Sequence, residues 1–346
     1  MFKKGKIIRN TKSFKVIEDK LLLVDQNGRL SIDDNFVDVD VDSAHYTLMD
    51  NTLIYVKGER TVIGAEGRTI EKTILLDSIV NGYALFSSEL NVQDFTLRYE
   101  LINIDNGEVL RDFGHWPIIK STLSYGNYLF LNFGDKVLCL RITDSFEELW
   151  DLKMLSFGNT SVNKLIGCFS DQLFMACSNQ KILVIDIDQA DVHQLSIASQ
   201  DLGLDHKYHK AELNSSTFRL DRNGQKLIGV FHTNYIEIEV ATNKCHVFDL
   251  SNQLNKNGVR SFRSLQNSYF NNSYFFLTGR AEREDRKNID LDCIVIVNRL
   301  NKKVDWIYVF MDEGIGTNSP MLKGEDLLQL DLEKNLHIFP GVPEEH

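Results

Sequence analysis

A short polar turn followed by about four apolar residues recurs eight times along this chain. The copies are DKLLLV at 19–24, NTLIYV at 51–56, NGYALF at 81–86, GNYLFL at 126–131, DQLFMA at 171–176, GQKLIGV at 224–230, NSYFFL at 272–277 and EDLLQL at 325–330. They lie roughly 30 to 55 residues apart, close to the period of architectures that use one supersecondary unit per repeat. Each copy is followed by another apolar run, as in KVLCLRI at 136–142, KILVIDI at 181–187, YIEIEV at 235–240 and DCIVIV at 292–297. A turn rich in Asn, Asp, Gly and Lys then leads into a strand that often carries an aromatic residue. Examples are DNGEVLRDF at 105–113, TDSFEELWDL at 143–152, ATNKCHVFDL at 241–250 and NRLNKKVDWIYVF at 298–310, with Trp150, Phe248 and Trp306 in comparable places. Strand, strand, turn, aromatic strand is the order of a four-stranded antiparallel blade.

Helix-period patterns are nearly absent, and β-branched and aromatic runs bounded by turn residues fill the chain. Five Asn-Gly pairs, at 27–28, 81–82, 106–107, 223–224 and 257–258, supply residues that tolerate positive φ, as tight hairpins require. The fold class is therefore all-β. The register resembles the repeats of β-propellers of the quinoprotein-like and WD-repeat type over nearly the whole chain. Gly114-His115 followed by Trp150-Asp151 imitates a WD-repeat signature once, with the Trp-Asp pair one strand too late, so the quinoprotein-like register fits better. The resemblance implies a single β-propeller domain over residues 1–346. Eight anchors give eight four-stranded blades, or seven if one of the closely spaced early units is not a blade. The last blade lacks a strand after LHIF at 336–339, and KGKIIRN at 4–10 can supply it, pairing the two chain ends and removing an exposed edge. A β-solenoid, with shorter and more regular rungs, is the architectural alternative. Only four Pro occur and no Ser/Gly/Pro-rich stretch marks a linker.

The formal net charge is −11, from 38 Lys plus Arg against 49 Asp plus Glu. Clustered positive charge, which nucleic acid and anionic membranes attract, is lacking, so neither is an expected partner. A protein partner is expected, and long-range attraction favours a basic one. The five Cys, at 139, 168, 177, 245 and 293, include no CxxC spacing and read as small apolar residues of a reducing compartment. The opening MFKKGKIIRNTKS is charged and lacks the apolar stretch of a secretory signal. A cytoplasmic location is the expectation.

Two polar insertions interrupt the repeats, near 196–217 and at 280–288. The first carries His206 and His209; the second alternates Arg280, Arg283 and Arg286 with acidic residues. Both read as solvated loops, yet loops on a rigid scaffold are also where binding is presented. Trp116 stands before Pro117, outside the plain strand runs; it suits either an interface or the gap between blades. These six residues are the candidate partner contacts. No metal site is expected. His206 and His209 lack the spacing of a helical zinc site, and DNFVDVDVDS at 34–43 has Ser43 where a calcium loop needs Gly. Its alternating Val37, Val39 and Val41 make it a strand with Asp38, Asp40 and Asp42 on the other face.

No G-x-S-x-G, HExxH, P-loop or G-x-G-x-x-G motif occurs, so no catalytic residue and no cofactor is assigned. The expected function is noncatalytic binding that sequesters or neutralises a partner protein. A bacterial immunity protein acting on a co-encoded toxin is one concrete form, by analogy of general character. The alternative is an enzyme with a site in the central channel, a hydrolase or a quinoprotein-like oxidoreductase.

Overall fold

The eight anchors each become the second strand of a sheet because their residues are apolar on both faces. Lys20–Asp25, Gln172–Cys177 and Leu291–Asn298, the last a third strand, are buried along almost their whole length. A strand covered on both sides reads as a continuous apolar run. Fourth strands such as Phe146–Lys153 instead alternate exposed and half-buried residues. The computed structural model describes residues 2, 5–41, 45–64, 67–158, 160–178, 181–195, 217–263, 268–282, 290–311, 314–315 and 319–341, with the backbone alone of Asp38 and Asp40.

Eight antiparallel sheets follow one another in sequence as the blades of a β-propeller. Blade one spans 11–40, blade two 46–70, blade three 73–117, blade four 121–153, blade five 162–195, blade six 219–249 and blade seven 259–309. Blade eight takes Met321–Lys323, Asp326–Leu330 and Leu336–Phe339, and its fourth strand is Ile7–Ile8 from the chain start. Ile7 pairs with His337 and Ile8 with Leu336, and Ile338 N donates to Lys6 O at 2.9 Å. The chain thus has eight blades, and the N-terminal strand completes the last one. Blade seven carries a short extra strand, Ser268–Phe270, paired with its second strand, Tyr274–Ala281.

The chain divides into two compact units, Met1–Ala44 with Asn223–His346, and His45–Arg222. In the second unit, apolar clusters lie between successive blades. One joins Ile54 and Val56 of blade two to Phe86 and Ile102 of blade three. Another joins Leu101 of blade three to Leu129 and Leu138 of blade four, and a third joins Phe130 to Leu173 and Met175 of blade five. In the first unit the pattern repeats. Tyr235 packs with Phe275, Phe276 with Phe339, and Phe14 with Leu328. Each large side chain so buried contributes about 1.5–3 kcal/mol relative to exposure.

The named helical elements among the described residues are Ser251–Asn255 and two 3-10 turns, and no described helix is long and apolar enough to cross a membrane. The strand Asn35–Asp40 forms where the Val/Asp alternation places it, while Asp42 lies outside the described residues.

Candidate functional site

Within blades seven and eight, the antiparallel order puts the first-to-second and third-to-fourth connections at one end and the second-to-third connections at the other. The first of these ends opens into a cleft of about 600 Å³. Three connections build it, each fixed by its own turn chemistry. Asn271 Oδ1 accepts the backbone N–H groups of Ser273 and Tyr274, at 3.0 and 2.7 Å. Asn298 Oδ1 accepts those of Leu300 and Asn301, while its Nδ2 donates to Asp305 Oδ2 at 2.9 Å. Gly324, at φ +55°, makes the turn before Glu325, and its N–H donates to Asp19 at 3.0 Å. Gly341 closes the wall, since a Cβ there would stand 2.6 Å from Glu325 O.

Aromatic rings form the apolar side. Trp306 lies in the fourth strand Lys303–Val309, with Tyr308 stacked at 6.0 Å, Phe339 edge-on at 5.5 Å and Phe2 edge-on at 5.6 Å. Tyr274 and Phe276 follow from the second strand, their centroids 6.2 Å apart. Among the described residues, the charged side chains lining the cleft are Asp305 and Glu325, both carboxylates. Glu325 is exposed and makes no ion pair or hydrogen bond with a described residue; Asp305 accepts only the Asn298 amide. The Trp306 indole N–H makes no bond among the described residues either.

A related arrangement is filled between blades six and seven. Lys302, from the third-to-fourth connection of blade seven, places its ammonium 5.3 Å from the Tyr235 ring centroid and 5.2 Å from that of Phe248, and it pairs with Glu237. Lys226 reaches the other oxygen of Glu237, Oε2, at 2.8 Å, while the Tyr235 hydroxyl donates to Oε1, the oxygen that Lys302 pairs with, at 2.8 Å. Burial alone would push the Glu237 carboxyl up; the bonds from Lys226, Lys302 and Tyr235 outweigh it and hold the group below its ordinary value.

The opposite end of the same blades is locked by buried carboxylates. Asp331 accepts the Asn335 N–H at 2.8 Å and meets His337 Nε2 at 2.8 Å, with Phe310 edge-on to the imidazole at 5.1 Å. Asp292 pairs with Arg263 and accepts the Ile315 N–H at 2.8 Å. These bonds hold turns. A second hollow of about 460 Å³, between blades eight and one, mixes Lys6, Arg9 and Arg29 with Asp25 and Asp34.

The two described residues among those singled out from sequence as partner contacts, Trp116 and Arg280, lie elsewhere. Arg280 is exposed near the end of the second strand of blade seven, at the end of the blade away from the cleft. Trp116 is half-buried in the fourth strand of blade three, with Phe113 at 4.6 Å and Phe133 of the next blade at 5.8 Å. His206, His209, Arg283 and Arg286 lie outside the described residues. Four thiols are buried and Cys245 half-buried. Burial raises all five, Cys168 and Cys293 to about 12 and Cys177 and Cys245 to about 11. None has the character of a nucleophile. Sequence reasoning missed the cleft, although Trp306 itself stood out as a fourth-strand aromatic.

No family model matches the sequence, and no curated protein matches it. Similarity appears among solved structures. BamB from Moraxella catarrhalis superposes with a TM-score of 0.60 at 10% identity, over 98% of this chain and 100% of that one. Saccharomyces cerevisiae Sqt1 gives 0.58 at 10% identity, over 99% and 98%. The β-propeller domain of Cps50 (Swd1) from Myceliophteria thermophila gives 0.54 at 11% identity, over 99% and 100%. Identities this low speak to the fold alone. With the sheet topology, they make this chain an eight-bladed β-propeller for which no narrower family is matched.

Proposed function

We propose that the chain is a noncatalytic, cytoplasmic propeller that binds and neutralises a partner protein, in its most concrete form a bacterial immunity protein acting on a co-encoded toxin. The observation that carries the binding reading is the cleft of blades seven and eight. It is open, lined by aromatic rings, and holds a carboxylate and an indole N–H that no described residue engages. Aromatic residues around a polar rim are the composition of binding hot spots. A prefolded scaffold presents such a cleft at little ordering cost, and the sequence-based candidates Arg280, Arg283 and Arg286 would add contacts from the 280–288 segment. The net charge of −11 supports a basic partner.

The test is affinity capture with the full chain from its native host, followed by reconstitution with the purified partner. A stoichiometric complex in calorimetry, and suppression of the partner's activity, are expected. A substrate turned over by the chain alone, at a rate lost when Asp305 and Glu325 are changed to Asn and Gln, overturns the reading.

A further inference from the structure

We infer that the cleft between blades seven and eight is a socket for a lysine or arginine side chain carried on a basic segment of the partner protein. The inference rests on the protein-binding reading and specifies its chemistry. Three features point to a cation. Among the described residues, the lining carries two carboxylates and no basic side chain. The face of an aromatic ring attracts a cation through its quadrupole, Trp most strongly, and Trp306 is half-buried with Phe2 and Tyr274 beside it in the lining. The carboxylates of Glu325 and Asp305 keep acceptor capacity that no described residue takes up, which is what an ammonium or guanidinium with three to five N–H donors requires; the Asn301 Oδ1 is already taken by the Lys303 N–H.

The molecule contains its own precedent. At the junction of blades six and seven, the ammonium of Lys302 rests over Tyr235 and Phe248 and pairs with Glu237. There the rings come from the third and fourth strands of blade six; at the junction of blades seven and eight, rings from the second and fourth strands of blade seven line one cleft with the carboxylates Asp305 and Glu325. The cation that completes the first arrangement comes from within the fold. The second offers aromatic faces and carboxylates to a cation from outside. Its volume of about 600 Å³ accommodates one long side chain with the adjoining backbone of an extended segment.

The probe is an acetylated, amidated hexa-arginine peptide, with the matched hexa-citrulline peptide as the neutral isostere. Binding to the full chain is followed by fluorescence anisotropy at low ionic strength. The arginine peptide binds and the citrulline peptide does not. Glu325→Gln combined with Asp305→Asn weakens binding by about tenfold, and Trp306→Leu by at least roughly threefold. Glu148→Gln, which removes one charge from an exposed position of blade four, weakens it less than twofold. If Glu148→Gln costs as much per charge as the cleft variants, the attraction is diffuse and the socket is wrong. Should Trp306→Leu lose its fold, the Glu325 and Asp305 variants still decide, because both groups are exposed. If a cognate partner binds the Glu325→Gln, Asp305→Asn chain as tightly as the unchanged one, the socket fails while the binding reading stands.

Discussion

Lys164 sits half-buried in the first strand of blade five, its ammonium donating to Phe218 O at 3.3 Å. Burial, and secondarily the charge of Arg219, lowers its pKa from the ordinary 10.5 to about 7. The native state therefore sheds a proton near neutrality that the unfolded chain keeps up to about pH 10.5. Below pH 7 both states are protonated and the burial penalty is fully present. Between pH 7 and 10.5 the unfolded state binds more protons, so stability rises with pH. Lys164→Met removes the titrating group and with it this slope. Melting temperatures of the two proteins should converge, or cross in favour of the unchanged chain, as pH climbs from 7 to 10; parallel curves would mean that the ammonium is not desolvated. Residue-level chemistry also separates the turns. Of the five Asn-Gly pairs only Asn81-Gly82 has both residues at positive φ, the two-residue type I′ hairpin. Glu18-Asp19, Asp50-Asn51, Asp33-Asp34 and Ser170-Asp171 take the same conformation without glycine.

The most exacting element is the closing strand. It has only two ladder residues, Ile7 and Ile8, and approaches the third strand of blade eight so tightly that a Cβ on Gly5 would lie 2.4 Å from Pro340 Cδ and 2.5 Å from Ile338 O. Gly5→Val must push the strand away. Overpacking of this kind costs about 1–3 kcal/mol. Amide exchange of Leu336–Phe339 should accelerate and the melting temperature fall, and deleting residues 1–10 should go further, leaving a bare sheet edge that promotes association. Unchanged exchange at 336–339 would show that Ile7–Ile8 does not protect the blade. This strand is legible in the sequence because the last anchor has only LHIF at 336–339 after it, one strand short of a blade, and KGKIIRN at 4–10 can supply the missing one. Second and third strands were legible because burial on both faces leaves uninterrupted apolar runs, as in Leu291–Asn298. Several first strands were not, since Thr73–Ile74, Arg219–Asp221 and Met321–Lys323 have two or three residues and no pattern. The cleft was hidden for another reason. Its walls come from residues 2, 271–276, 296–306, 322–325 and 341, and Asn271, Asn298 and Gly324 look like ordinary turn residues until the blades bring the connections together. Trp306 and Glu325 are chemically informative only as neighbours.

At the scale of the whole molecule, charge acts twice and with opposite signs. The formal charge of −11 repels itself in the folded state over distances that salt screens. Exposed ion pairs such as Arg60–Glu71, Arg141–Glu147 and Arg260–Glu282 oppose this, but such pairs contribute about 0–1 kcal/mol each. The Glu237 pairs with Lys226 and Lys302 are largely withdrawn from solvent, so salt touches them less. Raising the salt concentration from about 0.01 M to about 1 M shortens the Debye length from ~30 Å to ~3 Å. Self-repulsion then weakens more than the short-range pairs do, and the melting temperature of the chain alone should rise. Association with a basic partner depends on the same long-range field for steering, so its on-rate should fall steeply over the same range while the off-rate, set by contacts within the cleft, changes little. A thermal melt and a stopped-flow series over one salt gradient measure both. A melting temperature that falls with salt would assign the stability to surface ion pairs. An on-rate that does not respond would mean that the partner is recognised without the field of the acidic surface, by the cleft of Trp306, Asp305 and Glu325 at contact range alone.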